Sequence, residues 1–180
     1  SSDLLEHGGI RNDLILIAHC VAAIGGGHPA ELSRLNELAL ALQPSAERWL
    51  ETAQQGGSFL DAIAAGWNFD RLDGLRARLG SEVAYPIAVA VAASGHAIAP
   101  APTLAAYALA FVASLVSAAI RLSVIGQTDG QRILAALLPR IAAAAGRAAT
   151  ASLDDIGGCA FRSDLASLAH ETQYTRLFRS

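Results

Sequence analysis

Lysine and methionine are absent from this chain, and cysteine occurs only twice. All 13 basic residues are therefore arginine. A translated chain starts with methionine, so a processed product or a fragment is expected. Cys20 and Cys159 lie far apart and form neither a metal-spacing motif nor a disulfide framework. They read as small buried hydrophobes in a reducing cytosol. Charged residues make up 16% and aromatics 6% of the chain, against the usual quarter charged. Two readings of this deficit stay open. Another subunit covers part of the surface, or the composition follows an alanine-rich bias. The net charge is −3 with no basic stripe, which argues against nucleic acid as a partner. Residues 1–7 have no basic segment followed by an apolar one, so they do not read as a signal peptide.

With 180 residues the chain can bury roughly 70% of its unfolded surface around one core. Its pattern is helical throughout, and no stretch alternates strictly between apolar and polar. Residues 13–24 are almost wholly apolar and stop at Gly25, Gly26 and Gly27. Pro29 opens a helix in which Leu32, Leu35, Leu38 (or Ala39) and Leu42 recur at spacings of three and four. Ser45 is the candidate cap of the next helix, which the glycines Gly56 and Gly57 should end. Ser58 then caps a short piece over 59–65. Another short helix is expected over 69–79, weakened by Gly74. Pro86 and Pro102 begin two more. Gly126 to Gly130 interrupts the pattern, which resumes over 131–149 with Pro139 kinking or splitting it. Ser163 caps a last helix that runs to about Tyr174.

From 83 to 120 there is no Asp, Glu, Lys or Arg. Residues 103–120 approach the length of a membrane span. Alanine, serine and threonine fill many of those positions, and no aromatic belt frames them. A helix apolar on all faces is also what the middle of an α-bundle looks like. The expectation is an all-α, compact multi-helix bundle around an apolar central helix over 103–125, with no membrane partner.

No catalytic or metal constellation stands out. His7, His19, His28, His96 and His170 never fall four residues apart, and no His-Glu-x-x-His occurs. Asp154 and Asp155 form an acid pair that reads as turn chemistry. No nucleophile elbow exists. No metal and no cofactor are expected, and the chain is not expected to be an enzyme.

Two polar islands remain. In the first, Arg121, Gln127, Asp129, Gln131 and Arg132 offer mutual donors and acceptors, with Asp129 and Arg132 three apart and the glutamines four apart. A structural polar network is expected there, set against the plain alternative of a solvated loop and cap. The second is the tail. On a helix Tyr174 and Phe178 would share one face, Leu177 would lie beside it, and Arg176 and Arg179 would rim it. Such a patch suits docking rather than a core. A helical domain over 1–174 and a docking tail over 175–180 are expected.

The motif Gly126-Gln127-Thr128-Asp129-Gly130-Gln131-Arg132, followed by His170-Glu171-Thr172-Gln173-Tyr174-Thr175-Arg176-Leu177-Phe178-Arg179-Ser180, resembles the urease accessory protein UreF family. The middle agrees in order and spacing: Leu35-Asn36-Glu37-Leu38, then Ser45 to Thr52, then Gln55 to Leu60. The front departs from the family, whose opening leucine-rich helix and Leu-Pro-x-Gly-Ala-Phe segment are not seen here. Roughly the first quarter of the family pattern is therefore expected to be missing. The resemblance implies an all-α, non-enzymatic cytoplasmic scaffold, usually a homodimer. It would bridge a UreD/UreH-type accessory protein and the GTPase UreG for nickel delivery to apo-urease. It also implies partner binding by His170, Glu171, Tyr174, Arg176, Leu177, Phe178 and Arg179. A small metal-dependent helical hydrolase and a membrane-associated helical protein are the alternative readings.

Overall fold

Four consecutive side chains, Leu14, Ile15, Leu16 and Ile17, are all buried. Consecutive helical residues point about 100° apart, so the helix that carries them is covered on every side. It is the first helix of a computed structural model that describes residues 8–28 and 30–158. Among the described residues there are seven α-helices, this one included: α1 (Gly9–Gly25), α2 (Glu31–Ala41), α3 (Ala46–Gly66), α4 (Leu72–Arg76), α5 (Tyr85–Gly95), α6 (Pro100–Arg121) and α7 (Gln127–Ala148). A single 3-10 turn, Leu153–Asp155, closes the described chain. No strand occurs among the described residues, and the fold is the all-α bundle expected. Pro29, the start at Ser163 and the tail fall outside these residues.

The centre is not where all-round apolarity placed it. α1 packs against α5, α2, α6 and α7, and α5 packs against α1 and α3. These two helices form the middle. Of the 22 residues in α6, only Thr103, Leu104, Tyr107, Ala108, Val112 and Val116 are buried. α6 lies at the edge, paired with α7 as a hairpin. The reason is that an apolar run records composition and not neighbours: α5 is just as alanine-rich and is buried against α1 and α3, whereas much of the exposed face of α6 is alanine and serine, small side chains that gain little by burial.

A second correction concerns the glycines of α3. Gly56 and Gly57 lie inside one continuous helix of 21 residues, capped by the Ser45 hydroxyl, which accepts from the Arg48 amide. Gly56 is there for close approach. A Cβ on it would sit 1.9 Å from the Val83 carbonyl oxygen and 2.8 Å from the Val83 carbonyl carbon. The same connection is gripped from α2. The buried Asn36 amide donates to the carbonyls of Leu79 (3.1 Å) and Glu82 (2.7 Å), and its oxygen accepts from the Ala84 amide (2.9 Å). Thr52 Oγ1 accepts from the Tyr85 amide at 3.1 Å. The segment between α4 and α5 is thus clamped between α2 and α3. The helix expected over 69–79 shrinks to α4.

Helix ends follow a shared device. After α1, α5 and α6 the chain steps into the left-handed region at Gly27, Ala97 and Ser123. The amides of His28, Ile98 and Val124 then bond back to Ala23, Ala93 and Ala119. This is the 6→1 closure of a Schellman end. Only the first of the three uses glycine, which is why the other two left no mark in the sequence. The interruption expected from Gly126 to Gly130 is confined to Leu122 through Gly126, and Pro139 does not split α7.

One buried pair couples the two ends of the core. Tyr107 of α6 donates its hydroxyl to Asp13 of α1 at 2.9 Å. Asp13 keeps some exposed surface as a residue, but its carboxyl group is enclosed. Burial pushes its pKa from 3.8 up to about 6, against the lowering effect of the Tyr107 bond and the Arg48 charge. The neighbouring Tyr107 hydroxyl is pushed well above its ordinary value, first by burial and then by Asp13. A raised carboxyl pKa means the folded form holds its proton more tightly than the unfolded chain. The stabilising contribution is full below about pH 4 and is lost as pH rises through about 6. Asp13→Asn keeps an acceptor for Tyr107 and removes the charge. It is expected to raise stability at pH 7.5 by about 1–2 kcal/mol and to flatten the pH dependence between 5 and 7.5. Thermal melts at both pH values check this; a variant less stable than the parent at pH 7.5 would contradict it.

Candidate interaction surface

The α6–α7 hairpin carries most of the apolar side chains left exposed. Leu109, Leu115, Leu122, Val124, Ile133 and Leu138 all belong to it; among the described residues only Leu50, Trp67 and Ile98 join them from elsewhere. Its two helices are held close at the tip by Gly130, where a Cβ would meet Ile120 Cδ1 at 2.8 Å and Val116 Cγ1 at 3.0 Å. Gly130 is buried in the first turn of α7. Its sequence motif therefore serves packing as well as display. The turn itself leaves Leu122 70% and Val124 72% exposed, a bare apolar tip.

The first polar island sits around this tip. Arg121 ends α6, and Gln127, Asp129, Gln131 and Arg132 occupy the first two turns of α7. All five are exposed. Arg132 Nη1 donates to Asp129 Oδ1 at 3.2 Å, with side chains 76% and 59% exposed. Among the described residues no hydrogen bond joins Arg121, Gln127 or Gln131 to that pair. Of the expected network only the Asp129–Arg132 pair is formed among the described residues, and these side chains stand on the surface of the hairpin. An exposed pair of this kind contributes little to folding. Asp129→Ala and Arg132→Ala are accordingly expected to shift stability by less than about 0.5 kcal/mol, which chemical denaturation measures. The second island, His170, Glu171, Tyr174, Arg176, Leu177, Phe178 and Arg179, lies outside the described residues.

On the outer side of the hairpin a groove of about 320 Å³ runs between the helices, lined by Ala105, Ala106, Leu109, Leu138, Ile141 and Ala142. A cleft of similar size opens on the other side of α7, where Arg11, Arg147, Thr150 and Asp155 contribute polar lining. That side is tied down. Arg11 donates to the Asp155 carbonyl, Asn12 Oδ1 accepts from the Gly157 amide, and His19 Nε2 lies 3.0 Å from the Ala151 carbonyl oxygen. The acid pair behaves as turn chemistry. The Ser152 hydroxyl accepts from the Asp154 amide and Asp155 accepts from the Ser152 amide, a capping box. Among the described residues no three His, Cys, Asp or Glu side chains come together. Cys20 lies on the buried face of α1, and burial pushes its thiol up to about 12. It is an inert packing residue.

One helix among the described residues, α6, is long and apolar enough by length and composition to cross a membrane. It is nonetheless built into the bundle through the Tyr107–Asp13 bond and through Leu104, Ala108 and Val112. The residues that matter most locally and left no signal in the sequence are Asn36, Gly56 and the Asp13–Tyr107 pair. Their partners are tens of residues away along the chain.

A family model described as UreF matches residues 1–138. The chain is 53% identical over 178 residues to a urease accessory protein UreF of Methylobacterium radiotolerans, covering 99% of this chain and 78% of that one. It is 54% identical to a urease accessory protein UreF of Xanthobacter autotrophicus, covering 99% and 73%. A urease accessory protein UreF of Rhodopseudomonas palustris is 47% identical over 98% of this chain and 75% of its own length.

Proposed function

The chain belongs to the UreF family of urease accessory proteins, and on that premise we propose that it is a non-catalytic cytoplasmic scaffold for urease maturation. It forms a homodimer, binds a UreD/UreH-type accessory protein and recruits the GTPase UreG, so that nickel reaches apo-urease. The observation that carries this reading is identity of about half across 99% of the chain to proteins named urease accessory protein UreF. The described surface agrees in kind. It offers an apolar hairpin tip ringed by arginine, aspartate and glutamine, the mixture that suits a partner-binding rim. The tail supplies Tyr174 and, between Arg176 and Arg179, Leu177 and Phe178, an anchor-and-rim pattern of the hot-spot type. No step of this role asks the chain itself to make or break a bond.

The test is co-purification with the UreD/UreH-type protein and UreG, using the intact chain and a chain lacking 175–180. Loss of the complex with a nearly unchanged melting temperature is the expected result. A shortened chain that captures both partners at full strength would contradict the docking role of the tail. Asp129→Ala and Arg132→Ala extend the test to the hairpin: weaker capture from a stably folded protein is expected.

A further inference from the structure

We propose that Asn12 and His19 of α1 are positioning residues for partner docking: with Arg11 they pin the segment 150–158 along α1 in one register, so that the docking tail departs from one fixed place, and the partner that takes the tail selects the pinned form. The inference rests on the tail-docking reading above and names the residues of the described fold that serve it.

Segment 150–158 follows α7 and contains no fully buried residue. Only Ala151, Leu153 and Ile156 pack, half-buried, against the core. Apolar contact is non-directional and does not by itself fix a register. Hydrogen bonds do. His19 Nε2 donates to the Ala151 carbonyl at 3.0 Å, Arg11 Nη1 donates to the Asp155 carbonyl, and Asn12 Oδ1 accepts from the Gly157 amide at 3.2 Å. As the segment advances from 151 to 157, its partners step back along α1 by about 10 Å. Between these pins the Ser152–Asp155 capping box holds one preformed turn. The segment is a short strap, tied near both ends to one helix.

The choice of side chains favours register over stability. Asn12 is the one residue of α1 that is both buried and polar; the other buried positions are leucine, isoleucine, valine and cysteine. Burying an amide costs desolvation that its bond offsets. An apolar residue would bury more favourably there, but it would let the strap slide. Past the Asn12 pin come Gly157 and Gly158, at φ +144° and +95°. Only glycine adopts such angles readily, so the backbone is steered at this point. Pin and turn together set where the chain leaves α1, and the tail anchors Tyr174, Leu177 and Phe178 lie further along the same chain. A partner that takes the pinned form binds more weakly in proportion to the fraction of molecules in which the pins are open.

The experiment measures three quantities on the full chain: affinity for the UreD/UreH-type protein, amide hydrogen exchange over 150–158, and melting temperature. The variants are His19→Leu, the double variant Asn12→Leu with His19→Leu, and His19→Gln, which keeps a donor where Nε2 stands. In the double variant exchange over 150–158 is expected to speed up and Kd to rise about 10-fold. Its melting temperature should stay within about 5 °C of the parent. His19→Leu alone gives a smaller rise in Kd, and His19→Gln stays within about 2-fold of the parent. Partner binding to the parent should slow exchange over 150–158, because coupling is reciprocal. Parent affinity in a double variant whose strap exchanges freely would overturn the positioning role and leave the tail reading standing. So would His19→Gln binding as weakly as His19→Leu, or unaltered exchange in the double variant. A double variant that melts far below the parent would make the pins part of the core and overturn the role as well. A chain lacking 175–180 that binds at full strength would overturn the tail reading itself, and this role with it.

Discussion

Two adjacent glycines are expected to respond to alanine with opposite signs. Gly56→Ala should destabilise the protein by about 3 kcal/mol or more, whereas Gly57→Ala should stabilise it by about 0.5–1 kcal/mol. Both sit within α3, where alanine is the better helix former. A Cβ at Gly57 meets nothing within 4 Å, so the propensity gain stands alone. A Cβ at Gly56 would overlap the Val83 carbonyl and approach the Ala84 carbonyl carbon at 2.9 Å. The obstacle is backbone, and that backbone is held from the other side by Asn36. It cannot yield without breaking those bonds. Denaturant unfolding of the two variants measures both signs. A Gly56→Ala chain as stable as the parent would mean that α3 and the α5 approach are not packed as described.

Asn36→Leu is the second large effect. The leucine keeps the branched four-atom skeleton of the asparagine side chain but is bulkier and cannot hydrogen-bond, and an unfolding free energy lower by about 3–5 kcal/mol is expected. Asn36 is 2% exposed and uses three of its hydrogen-bonding positions on three separate backbone groups. Without it, two carbonyls and one amide in a buried connection lose their partners, and water has no room to replace it. Asn36→Asp should also be strongly destabilising at neutral pH, because a carboxylate cannot donate to the Leu79 and Glu82 carbonyls. Equal stability of the parent and the leucine variant, with far-ultraviolet dichroism unchanged, would show that the clamp contributes nothing.

Local chemistry was legible in the sequence and long-range contact was not. Ser45 announces its cap because the bond it makes reaches only to Arg48. Pro86 marks the start of α5, α6 opens at Pro100, two residues before the expected Pro102, and Asp154 and Asp155 declare a turn, for the same short-range reason. Gly56 misled because a glycine pair signals both a helix end and a close crossing. Which one applies depends on Val83, far along the chain. The apolar run of α6 misled because burial is decided by what packs on a helix. α1, with its large buried isoleucines and leucines, and the alanine-rich α5 take the centre together. The Asp13–Tyr107 bond joins residues 94 positions apart and could be found only in three dimensions. Of the candidate site, the composition of the hairpin tip was readable. Its exposure was not, since i,i+3 spacing fits a surface pair as well as a buried network.

The role in urease maturation is tested most directly by the nickel content of urease. Urease would be purified from cells in which the gene for this chain is deleted, with and without the chain supplied again, and its metal counted by mass spectrometry. Nearly metal-free, inactive urease in the deletion, restored to full nickel when the chain returns, is the expected result. Urease carrying the same nickel in both preparations would contradict the scaffold role.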